Sequence, residues 1–115
     1  MLKNTEGKMI TEVAYKTNYT SLMKKLPQDK HRAIVTELNR IADQEEVITS
    51  SWIPGSDWRG TVYEPIWEAC GRNDEVAAKF YGQILYKVII DHPAEWLFGK
   101  YDHARGKTYF RVRSR

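Results

Sequence analysis

The sequence predicts an α+β domain of three helices followed by a C-terminal β-hairpin, on three observations. Residues 73–90 carry the longest run with a helical period, and residues 27–44 carry a second. Residues 96–113 read as two strands about a turn that contains Gly106. The 115 residues suit one domain able to bury a core without staples. Hydrophobic residues make up 42% of the chain, which includes four Trp and seven Tyr, so most of it is expected to fold.

The run 73–90, NDEVAAKFYGQILYKVII, is the expected spine of the core. Asn73 suits an N-cap, because its side-chain oxygen can accept a first-turn N–H. Asp74 and Glu75 place negative charge at the positive end of the helix dipole. Val76, Ala77, Phe80, Tyr81, Ile84, Leu85, Val88 and Ile89 recur at three- and four-residue steps and define a wide apolar face. Lys79, Gln83 and Lys87 fall on the remaining strip. Pro93 disfavours helical geometry at His92 and ends the helix.

From the N-terminus, residues 1–20 are polar and broken by Gly7, and are expected to form a flexible or short-strand arm ahead of a single domain at 21–115. Met9–Tyr15 suits either a short strand or no regular structure. Thr20–Leu26 suits one helical turn, broken at Pro27. Pro27–Gln44 reads as a helix with Ala33, Ile34, Val35, Leu38, Ile41 and Ala42 inward, and with Asp29, Lys30, Glu37, Arg40 and Asp43 in water. Val47–Ile53 is rich in β-branched and aromatic residues and suits a strand. Pro54–Gly60 is loop chemistry. Thr61–Cys70 reads as a short helix with Thr61 and Glu64 as a capping box, and with Ile66, Trp67 and Cys70 inward. Gly71 suits the left-handed residue that ends it. Trp96–Tyr101 and Lys107–Arg113 are the expected hairpin strands. Tyr109, Arg111 and Arg113 share one face of the second strand, and Phe110 and Val112 share the other.

Composition narrows the function. Nothing approaches the ~18 apolar residues of a membrane span, and MLKNTEGKMI lacks the apolar stretch of a signal peptide. With one cysteine, Cys70, excluding an internal disulfide, the expected location is cytoplasmic. The net charge is +3, but the segment from Lys100 onward carries +5 and the rest −2. No glycine-rich phosphate loop is present. His31, His92, His103 and Cys70 match no metal-ligand spacing, so no metal or cofactor is expected. Asp91–His92 sits at a helix end, where a histidine is favourable without catalysis. Glu64 and Glu68 lie one turn apart and read as a solvated face. No enzyme is expected.

The order helix, strand, helix, turn, helix, hairpin joins a loose pattern: Ile66-x-x-Ala69, Gly71, Ala77-Ala78, Gly82, Leu85 and Arg105-Gly106-Lys107-x-Tyr109. Over residues 27–113 this resembles the winged helix-turn-helix domains. The resemblance implies a third helix in the DNA major groove and a hairpin wing on the backbone or minor groove. It also implies that helix 73–90 reads duplex DNA through Arg72, Lys79, Gln83 and Lys87, with His103, Arg105 and Lys107 in the wing. Ordinary solubilising charge is the competing reading of both sets. Two departures point elsewhere: the spine helix is long and apolar on a wide face, and the Trp52–Gly60 loop is long and aromatic. A second reading is therefore a protein-interaction module of mobile-element (phage-type) origin, inhibiting or recruiting a larger complex through Trp52, Trp58, Arg59 and Tyr63. Packing of Trp52 and Trp58 onto the core is the plain alternative for that loop. A third reading is a small-molecule binder with Trp58, Tyr63 and Trp67 as an aromatic pocket. Duplex DNA, a protein partner and a second copy of the chain are the partners these readings allow.

Overall fold

The computed structural model describes residues 1–4, 6–13, 15–49, 58–99 and 108–112. The elements run β1 (Leu2–Lys3), β2 (Met9–Ile10), α1 (Lys16–Met23), α2 (Gln28–Gln44), β3 (Val47–Thr49), α3 (Glu64–Ala69), α4 (Asp74–Asp91), β4 (Trp96–Gly99) and β5 (Thr108–Arg111). The fold class is mixed α+β, with four helices and a five-stranded mixed sheet among the described residues. The expectation of three helices misses α1, which forms over 16–23 rather than as a single turn at 20–26.

Helix α4 is the spine. Asn73 is its N-cap, and its side chain accepts from the Val76 N–H at 3.0 Å. Asp74 and Glu75 occupy the first turn. Ala77, Phe80, Tyr81, Ile84, Leu85, Tyr86, Val88 and Ile89 are buried. Burying each large member of that set stabilises by about 1.5–3 kcal/mol. Tyr86, outside the apolar face read from the sequence, is buried, whereas Val76 in the first turn is exposed. Helices α1, α2 and α3 and strand β1 all pack on α4, which is why its buried arc is so wide. The helix stops at Asp91, and His92 is extended before Pro93.

Helix α2 follows Pro27, whose ψ of 140° places it outside the helix as the N-cap. Ile34, Leu38 and Ala42 are its buried row, one turn apart. Ala33, expected on the apolar stripe, is exposed. It lies one residue round from the Ile34 row, and the neighbouring elements do not cover that arc.

Helix α3 begins at Glu64, with Tyr63 as an N-cap that makes no side-chain cap bond. The expected capping box does not form. The Thr61 hydroxyl donates to the Trp58 carbonyl at 2.8 Å and accepts from the Tyr63 N–H at 3.2 Å. A turn built on Trp58 has taken the capping residue. Gly71 ends the helix at φ +65°, and Arg72 follows at φ +62°. Two successive left-handed residues reverse the chain into α4, and the Arg72 N–H donates to the Trp67 carbonyl at 2.8 Å.

The sheet order is β2-β1-β4-β5-β3. Strand β1 runs parallel to β4, with Leu2 opposite Trp96. The hairpin β4–β5 is antiparallel with Gly99 opposite Thr108, and β5 pairs antiparallel with β3 on its other side. Leu2 is fully buried in the core, and β1 and β2 are short strands within the expected N-terminal arm. The expected strand residues 50–53, 100, 101, 107 and 113 lie outside the described residues, as do residues 54–57 of the Trp52–Gly60 loop.

Candidate nucleic-acid interface

The strip of α4 that the core leaves free carries acids as well as lysines. Lys79 lies 3.8 Å from the Glu75 carboxylate and Lys87 lies 3.2 Å from Asp91. Each pair spans four residues on one helix face, where opposite charges attract. The strip is therefore neutral as a unit, which corrects the expectation of a cationic helix face. Gln83 donates from Nε2 to the Tyr15 carbonyl at 3.3 Å, which ties it to the start of α1. Arg72 pairs with Glu68 at 3.3 Å and lies over the Trp67 ring, 5.5 Å from its centroid. All four helix-side candidates are thus engaged within the protein. The wing candidates His103, Arg105 and Lys107 lie outside the described residues. The strands that flank them are described: β4 and β5 hydrogen-bond up to Gly99 and Thr108, and the +5 terminal segment spans their connection and the return strand.

The aromatic candidates divide. Trp52 lies outside the described residues, and Arg59 is exposed. Trp58 and Tyr63 are each 3% exposed. Both stand edge-on to Tyr81 of α4, with ring centroids at 6.3 and 5.2 Å. Burial pushes the Tyr63 phenol up to about 12. Rings packed this way act as anchors for the loop and cannot form an exposed platform, which corrects the partner- or ligand-binding role for these two. The third member of the expected pocket, Trp67, donates its indole N–H to Asp74 at 2.8 Å beneath the Arg72 guanidinium.

Two features escaped the sequence reading. His92 is 3% exposed at the C-terminus of α4. Its Nε2 lies 2.8 Å from an Asp43 carboxylate oxygen, and its Nδ1 accepts from the Ala94 N–H at 3.1 Å and the Trp96 indole at 3.2 Å. It ties α2, α4 and β4 together, and Asp91 is committed to Lys87 instead. Nothing in the sequence near His92 signals Asp43, 49 residues away. The second feature is a group of cations at the α1–α2 corner: Lys24, Lys25, Lys30 and Arg32, with Asp29 as the one acid among residues 24–32. Its signal was in plain view as Lys24-Lys25 and Lys30-His31-Arg32.

Cys70 is half-buried, and burial raises its thiol pKa, as suits a packing residue rather than a nucleophile. Among the described residues no group of three or more His, Cys, Asp or Glu is arranged to hold a metal ion. No described helix is long and apolar enough to cross a membrane. Comparison of the chain with protein-family models, with curated proteins and with solved structures finds no match.

Proposed function

We propose that the chain is a winged helix-turn-helix domain that binds duplex DNA, with the β4–β5 hairpin as its wing and α4 as scaffold more than reader. The observation that carries this reading is the strand arrangement β4-β5-β3, whose Tyr109 packs on Tyr86 of α4, together with the contact of α3 with α4. It makes residues 100–107 the connection of a hairpin, and that connection carries Lys100, Arg105 and Lys107 against Asp102. Cations on a hairpin connection suit phosphate contact, which needs charge and reach but no sequence-reading geometry. The internal ion pairs of Lys79 and Lys87 argue against base reading by α4, so binding is expected to be weakly dependent on sequence. Burial of Trp58 and Tyr63 removes the main support for an aromatic partner platform.

The test is duplex binding across a salt series. Affinity should fall steeply, with a log–log slope of roughly −4 to −5 if about four to six phosphates are neutralised. Arg105→Ala and Lys107→Ala should weaken binding to all duplexes alike and reduce the slope by about one each. Gln83→Ala should leave the ranking of sequences unchanged. Absence of binding at low salt would overturn the reading, and a change of sequence preference in Gln83→Ala would restore α4 as the reader.

A further inference from the structure

The described cations of this protein are mostly spoken for. Lys3, Lys16, Arg40, Arg72, Lys79 and Lys87 each pair with a carboxylate. Arg111 donates to the Ala42 and Asp43 carbonyls. Besides Lys8, the exception is a group of four, Lys24, Lys25, Lys30 and Arg32. All four are exposed, and none makes an ion pair or side-chain hydrogen bond with a described residue. They stand at one corner of the fold, Lys24 and Lys25 directly after α1 and Lys30 and Arg32 at the start of α2. Leu26, only 5% exposed, roots the corner in the core, and Pro27 caps α2. Like charges held on a rooted turn repel one another, and a polyanion relieves that repulsion while releasing its own counterions.

We infer that the α1–α2 corner is a second nucleic-acid contact, with Lys24, Lys25, Lys30 and Arg32 binding the phosphates of the duplex that the wing engages. The inference rests on the duplex-binding reading above. Lys25 and Lys30 also line a shallow groove of about 480 Å³, with Pro27 on their side and Glu64, Pro65 and Glu68 on the α3 side. Glu68 is neutralised by Arg72, and Glu64 lies 3.4 Å from the Gly60 N–H, which donates to it. The carboxylates of the far wall are thus turned to local partners. Among the described residues, none of the exposed large hydrophobics Met9, Tyr15, Val47, Val62 and Val76 lines that groove. Protein interfaces draw their energy from buried aromatic or aliphatic anchors, whereas a phosphate backbone is gripped by charge alone.

The experiment compares three full-length proteins on one random-sequence duplex by fluorescence anisotropy across a KCl series: wild type, the wing variant Arg105→Gln/Lys107→Gln, and the corner variant Lys24→Gln/Lys25→Gln/Lys30→Gln/Arg32→Gln. The corner residues are exposed, so the variant should keep its thermal unfolding midpoint. A second corner variant that exchanges Lys and Arg at the same four positions keeps the charge and should keep the slope. The corner variant is expected to reduce the log–log salt slope by about one for each corner cation that meets a phosphate, which makes the wild-type slope steeper than the value expected of the wing segment alone. If wild type binds and the wing variant weakens it, but the corner variant keeps the wild-type slope, the corner is not a contact while the duplex reading stands. If wild type binds no duplex, both fail. If wild type binds polyglutamate and not the duplex, the corner serves an acidic protein and the inference is overturned.

Discussion

Replacing His92 should expose how the end of α4 is held. The imidazole is 3% exposed and does three things at once: Nε2 meets Asp43, and Nδ1 accepts from the Ala94 N–H and the Trp96 indole N–H. Trp96 is fully buried, so its indole N–H has no water to turn to. In His92→Ala both donors lose their acceptor, at about 1–3 kcal/mol for each buried group. The missing ring adds a cavity, so the total should reach about 3–5 kcal/mol. That is a large part of the ~5–15 kcal/mol that holds a typical domain. Asp43 is different, because its side chain is 67% exposed and water takes over when the contact is lost. Asp43→Ala should cost no more than about 1 kcal/mol. Two further variants separate acceptor from volume. His92→Leu fills the space without an acceptor and should cost about 2–4 kcal/mol. His92→Asn offers a carbonyl oxygen near the Nδ1 position and should cost about 1–2 kcal/mol, mostly from the Asp43 contact and lost volume. Urea unfolding followed by tryptophan fluorescence measures all four. If the Leu variant is as stable as the Asn variant or more so, the two Nδ1 bonds do not hold this junction and the reasoning fails.

Three other outcomes follow from burial. Trp58→Ala should lose ~3 kcal/mol or more, because the ring is 3% exposed against Tyr81; a loss within ~0.5 kcal/mol in the same unfolding assay would mean a surface ring. Tyr109→Phe should be neutral or slightly stabilising, since the buried Tyr109 hydroxyl has no hydrogen-bond partner among the described residues; a loss above about 1 kcal/mol would reveal one. High pH should destabilise the fold: burial, with nearby Glu37 adding to it, pushes the Tyr63 phenol up to about 12, and burial also raises Tyr81 and Tyr109. Unfolded phenols ionise near 10, so this stability is whole below about pH 10 and is lost as pH rises through the folded value of Tyr63. Each phenol contributes a slope of about 1.4 kcal/mol per pH unit in that window, and a midpoint that stays flat to about pH 11.5 would refute it.

The sequence by itself determined the parts that depend on near neighbours. Asn73 capping α4, Pro93 stopping it, Pro27 opening α2 and Gly71 turning between α3 and α4 are all local chemistry. The row Ala77, Phe80, Tyr81, Ile84, Leu85, Val88 and Ile89 was legible because a helical period maps directly onto one face. The pairs Glu75–Lys79 and Asp91–Lys87 were equally legible by spacing, since residues four apart share one helix face. Tertiary structure decided the rest. Strand β1 is two residues long, too short to carry a period, and exists because Leu2 and Lys3 find β4 more than 90 residues away. The Trp58 ring became an anchor through Tyr81, and His92 a junction through Asp43 and Trp96. Val76 and Ala33 stayed in solvent because no neighbouring element covers their arc of the helix. Periodicity says which side of a helix is apolar, but how far round that side is buried depends on which elements dock there. Those contacts join residues far apart in the chain, where local sequence has no say.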